Sequence, residues 1–113
     1  MRYAAKTDLN QKPMVAQIRR AGFHVHPTHR LGAGFPDLIV TGYSMKRNAV
    51  LALLVEVKQE REGLTADEIE FHEGYPLDGP LIIARSADDV LRWFGRIEEA
   101  PAYPPFVAEE SYP

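Results

Sequence analysis

The stretch Ala49-Val-Leu-Ala-Leu-Leu-Val-Glu-Val-Lys58 constrains the fold more than any other part of the chain. It reads as a strand with apolar residues on both alternating faces, Leu51/Leu53/Val55/Val57 on one and Ala52/Leu54 on the other. A strand of that kind sits in the middle of a sheet and is covered from both sides. It therefore needs strand neighbours and helical layers, which points to an α/β architecture. Its last residues break the apolar run: a period of two puts Glu56 and Lys58 on one face. With 113 residues there is room for one such domain. The absence of cysteine excludes a disulfide framework, a thiolate zinc site and a cysteine nucleophile, and suits a reducing compartment.

The other elements arrange themselves around that strand. Met14, Val15, Ile18 and Ala21 recur at helical spacing within residues 7–22, and Gly22 is a suitable stop. With Asn10 as N-cap, Pro13 takes the third helical position, where its missing N–H costs no bond. Phe23–Thr28 reads as an edge strand because Pro27 cannot donate to a ladder. A glycine-rich turn, Leu31-Gly-Ala-Gly-Phe-Pro, leads to a strand beginning Asp37-Leu-Ile-Val-Thr, and Gly42–Asn48 reads as a polar hairpin loop. Thr65-Ala-Asp-Glu68 is a capping box opening a helix with Ile69, Phe71 and His72. Leu81-Ile-Ile-Ala is a short strand, and Ser86 opens a last helix with Val90, Leu91, Phe94 and Ile97 as its stripe. The expected order is α-β-β-β-α-β-α, a central mixed sheet flanked by helices. Residues 1–99 form the domain and 100–113 a Pro/Tyr-rich tail.

Charge is divided unevenly. Residues 1–58 carry a balance of +6 and residues 59–113 a balance of −9, summing to the net −3 of the chain. Such a split favours a basic face for a polyanion despite the acidic total. The longest apolar run, Ala49–Val55, is far short of the roughly 20 residues that span a bilayer, so no membrane partner is expected. The first residues hold no apolar signal core, and a cytoplasmic protein is expected.

Two short strings carry the chemistry, Gly34-Phe-Pro-Asp37 and Glu56-Val-Lys58. A carboxylate at the start of one strand and another at the end of its hairpin partner can converge on one divalent cation. Oxygen ligands suit magnesium, which keeps several waters and leaves room for a phosphate. The lysine two residues on can orient or activate water there and neutralise charge building on a phosphate. Either string alone reads as well as a surface ion pair or a turn ending, since such pairs are common. Spaced across a hairpin, the two together favour a metal site.

At this point the chain resembles the PD-(D/E)XK nuclease superfamily, in its compact VRR-NUC and Holliday-junction-resolvase-like branch of small phage and prophage proteins. Asp8-Leu-Asn-Gln11, Gly34-x-Pro-Asp37-Leu, Glu56-Val-Lys58 and Leu64-Thr-x-x-Glu68…Phe71-His72 stand in the order seen there, across residues 3–94. The resemblance implies a restriction-endonuclease-like core and a magnesium-dependent DNA endonuclease, with manganese able to substitute. It makes Asp37, Glu56 and Lys58 the catalytic set. Metal would be held by Asp37, Glu56, the backbone carbonyl of Val57 and Asp8. Gln11, Glu68 and His72 would stand behind these groups or face DNA. Pro13 disturbs the helix that would present Asp8, and the link Gln59-Glu-Arg-Glu-Gly63 is shorter than in many relatives. Junction, flap, nicked and linear DNA all stay open as substrates. The competing reading is a non-catalytic nucleic-acid-binding or recombination-complex module that kept the fold. If phage-encoded, the protein would work in a bacterial host.

In that setting Arg19, Arg20, Arg30, Lys46 and Arg47 are the expected phosphate contacts, which position DNA without reading its sequence. His24, His26 and His29 make a poor zinc site, having no carboxylate in the same segment. Gly32 and Gly34 are not a nucleotide-binding loop, because a strand follows them instead of a helix N-terminus. Cutting two strands calls for two sites related by a two-fold axis, so a homodimer is expected, with Trp93, Phe94 and the tail as candidate contacts.

Overall fold

The computed structural model describes residues 11–28 and 31–98. The element order is the expected one: α1 Gln11–Arg20, β1 His24–Pro27, β2 Leu38–Ser44, β3 Ala49–Val57, α2 Ala66–Gly74, β4 Leu81–Ala84 and α3 Ala87–Trp93. The four strands form one mixed sheet in the order β1-β2-β3-β4. β1, β2 and β3 pair antiparallel and β4 runs parallel to β3. The chain is thus α/β, with β3 internal and Pro27 on an edge strand. β2 runs on to Ser44, opposite Ala49, so the hairpin turn is shorter than expected. Asn48 closes it in the left-handed region (φ 57°), which a short polar side chain tolerates.

The covering of β3 differs from the expectation. One face is sealed: Leu53, Val55 and Val57 pack with Leu38, Val40 and Val25 against Met14, Val15 and Ile18 of α1 and Ala87 and Val90 of α3. The other face is largely open. Val50 is 69% exposed, Ala52 is exposed and Leu54 half-buried. The apolar residues of that face are small or few, too little to hold a helix along its length. Only the end of the strand is covered there, where Glu56 and Lys58 lie buried beneath α2. α2 itself has no buried residue and is docked by particular contacts.

Phe94 and Trp93, expected at a dimer contact, serve the monomer. Phe94 is fully buried with its ring 4.6 Å from that of Phe23, and the Arg47 guanidinium lies 4.2 Å over the Trp93 ring. Ile97 falls beyond the end of α3 and is exposed. The tail lies outside the described residues.

Candidate functional site

Asp37 immediately precedes β2, and the register Leu38↔Val55 brings it level with the end of β3. Two groups fix the approach. Thr28, buried, gives its N–H to the Asp37 carbonyl at 2.7 Å and its hydroxyl to the Pro36 carbonyl. From the other side, Asp37 Oδ2 accepts the Val57 N–H at 2.8 Å. The group of Val57 that meets Asp37 is therefore its N–H, while the resemblance gave a part to its carbonyl.

Asp37 and Glu56 act on each other's ionisation, and two carboxyls so close favour keeping one proton between them. Glu56 is the one that keeps it: burial first, then the charges of Asp37 and Glu68, push its pKa up to about 10. Asp37 is also raised, by burial, against the opposing bond from Val57. Glu56 is 1% exposed, and its Oε1 is buried with no hydrogen-bond partner among the described residues. A buried carboxyl pair that must keep a proton, with one oxygen unpartnered, lacks a positive charge.

Lys58 supplies part of that charge. Its Nζ lies 2.8 Å from Glu68 Oε1, 3.5 Å from Glu62 and 3.7 Å from Glu56 Oε2, with the residue 4% exposed. Burial opposes its charge, but the surrounding carboxylates outweigh that and hold the ammonium above its ordinary range. Glu68 is likewise disfavoured by burial, yet the Lys58 and Thr65 bonds bring it below the usual carboxylate range.

Glu68 does two jobs with one oxygen. Oε1 takes the Thr65 N–H at 2.8 Å, closing the capping box of α2, and also takes the lysine. The cap thus fixes the carboxylate that fixes Lys58. The glycine-rich turn docks on the same spot. A Cβ on Gly34 (φ 79°) would come 2.3 Å from the Asp67 carbonyl oxygen, so only glycine lets the turn reach α2. Phe35 packs edge-on against Phe71 with 5.3 Å between ring centres. Arg85 pins the intervening loop, donating to the carbonyls of Glu60 and Glu62 at 3.1 and 2.7 Å.

Among the expected site residues, Asp37, Glu56, Lys58 and Glu68 come together. His72 stands beside them, lowered by burial, its Nε2 buried and without a partner among the described residues. Gln11 is buried in the first turn of α1. Asp8, Arg30 and His29 lie outside the described residues. Lys46 and Arg47 sit in the β2–β3 turn, at the end of β2 away from Asp37, with Arg47 donating to the Trp93 carbonyl, whereas Arg19 donates to the Val25 carbonyl, level with Val40 in mid-strand, and Arg20 is exposed at the end of α1. His24 and His26 are exposed on the open face. Thr28, Glu62 and Arg85 escaped sequence reading. Only the tertiary fold makes them neighbours of the site, and no short motif announces it.

Among the described residues no three His, Asp or Glu side chains are placed to enclose a metal by themselves. Magnesium does not ask for that, being held by one or two carboxylates with water completing its shell. Asp37 and Glu56 fit it by donor type, by burial and by their unmet need for positive charge. No known protein family, no curated protein and no solved structure matches the chain.

Proposed function

We propose that the chain is a magnesium-dependent DNA endonuclease with a restriction-endonuclease-like core of the PD-(D/E)XK type. The observation that carries this reading is the buried Asp37–Glu56 pair beside Lys58, with Glu56 Oε1 unpartnered. Core-end carboxyls so costly to bury ask for a ligand. The mixed sheet supports the reading by setting Asp37 and Glu56 level across a β-hairpin.

Asp37 and Glu56 would hold the ion, with Asp8 and the Val57 carbonyl as the further ligands the resemblance suggests. When bound, magnesium makes water a stronger nucleophile and neutralises phosphate oxygens. Asp37 stays oriented by the Val57 N–H, and Glu56 yields its proton as positive charge arrives. Lys58, always charged here, orients the attacking water and stabilises the negative charge that gathers on the phosphorus oxygens. Glu68 keeps its ammonium in place. Cutting both strands takes two such sites, so a second copy of the chain belongs to the proposal.

The test is cleavage of a panel of linear, nicked, flap and junction DNA with magnesium or chelator. Magnesium-dependent cutting that falls at least about 100-fold in Asp37→Asn and Lys58→Met, both still folded, is expected from the loss of ligand or charge stabilisation. Full activity in chelator, or in both variants, would refute the reading. Binding without cutting on every substrate would favour the non-catalytic module.

A further inference from the structure

The acidic side chains around the Lys58 ammonium are not held alike. Glu56 is sealed at the end of β3, with 2% of its side chain exposed. Glu68, at 17%, is fixed by the bond that closes the α2 cap. Glu62 differs from both: its Oε2 lies 3.5 Å from Lys58 Nζ with 44% of the side chain in water. Its other oxygen, Oε1, accepts the Gln59 N–H at 2.9 Å.

Beneath that side chain the backbone is anchored. The Glu62 N–H donates to the Gln59 carbonyl at 3.1 Å, and the Glu62 carbonyl accepts from Arg85 at 2.7 Å. Arg85 also reaches the Glu60 carbonyl at 3.1 Å, and its own N–H is bound to Asp89 Oδ2 at 2.8 Å, at the start of α3. The loop is therefore tied to the junction of β4 and α3, and what is left to move is the Glu62 side chain. Its departure costs little: one surface amide bond and an ion pair longer than a good hydrogen bond.

To an ammonium, a carboxylate and a phosphate present the same thing, oxygens sharing a negative charge. Of the acids on Lys58, Glu62 is the one on the solvent side, from which a substrate must come. We infer that the Glu62 carboxylate is a gate: it occupies the place at Lys58 that a backbone phosphate of the substrate takes, and it swings away when that phosphate enters. The inference rests on the proposed phosphodiester cleavage for the identity of the anion. While the gate is shut, the site carries an extra negative charge and resists loose anions. A cation at Asp37 and Glu56 lowers that resistance, so entry of the phosphate is favoured once the metal is in place. Glu62 thus opposes binding, and its removal should strengthen it.

The test uses the intact chain with two probes, a fluorescein-labelled duplex in calcium and inorganic phosphate in magnesium, the second read by calorimetry. Glu62→Gln keeps an oxygen for the Gln59 N–H and removes the charge. It should bind both probes about 3- to 5-fold more tightly than the wild type, the size expected of a half-exposed ion pair, with a closely similar melting curve. Glu60→Gln takes the same charge from the same exposed loop and leaves the Glu62–Lys58 contact in place, so its gain should stay below about 2-fold. An equal gain in Glu60→Gln, no gain in Glu62→Gln with either probe, or weaker binding in it, as a further metal ligand would give, would overturn the inference. The two probes separate the layers of the argument. A gain with phosphate and no duplex binding would uphold the gate and refute the DNA reading, whereas normal duplex cleavage with no gain in Glu62→Gln would refute the gate alone.

Discussion

The two faces of the sheet divide stability from chemistry. The face under α1 and α3 is apolar and closed, with Leu38, Val40, Leu53 and Val55 wholly out of water. The opposite face of the same strands is open along Val50 and Ala52 and closes only over Glu56 and Lys58. One face holds the fold together. The other tolerates buried ionisable groups that weaken it, and those are the groups proposed to hold a cation.

The largest expected effect lies on the closed face. Leu53→Ala should lower the unfolding free energy by about 2–5 kcal/mol, while Val50→Ala should change it by less than about 0.5. Urea denaturation of both variants checks the pair, and comparable losses would erase the distinction between the faces.

Next comes the hinge between the glycine-rich turn and α2. Gly34→Ala puts a side chain in the left-handed region, at about 1–2 kcal/mol, and drives a Cβ into the Asp67 carbonyl. The expected result is a modest stability loss with cleavage falling much further, since Glu68 and Lys58 are displaced while the closed face is intact. Proportionate losses of both would show that α2 does not position the lysine.

Glu56 makes the contrast testable by pH. Its folded pKa is raised from the ordinary 4.5 to about 10, so between those values the folded chain binds more protons than the unfolded one. Stability must then fall as pH rises through that window, being full below it. Glu56→Gln removes the group and should melt higher than wild type in chelator, by a margin that widens with pH; a constant margin would contradict the buried protonated carboxyl.

The sequence made most of this legible where local chemistry decides the outcome. The capping box at Thr65–Glu68, Pro13 in the first turn of α1 and Pro27 on an edge all follow from which backbone groups can bond. Asp37, Glu56 and Lys58 were visible because ionisable residues interrupt an apolar pattern. The open face was not. Ala52 and Leu54 are apolar enough to suggest a cover, but whether a helix lies on them depends on the packing of distant segments. Glu68 is legible as a cap and, through the resemblance, as a group near the site, but its bond to Lys58 is not, since that bond spans ten residues and needs Gly34 to let α2 approach. The charge split suggests a basic face for a polyanion but not where it lies, and the length of β2 carries Lys46 and Arg47 to the end of the strand away from Asp37.

Calorimetric titration of manganese into the wild type, Asp37→Asn and Glu56→Gln near pH 7, in buffers of differing ionisation enthalpy, tests the central claim most directly. Saturable binding to the wild type with release of the Glu56 proton is expected, with weak binding and no such release in either variant. Equal binding by all three proteins, or none by the wild type, would contradict a cation site at Asp37 and Glu56.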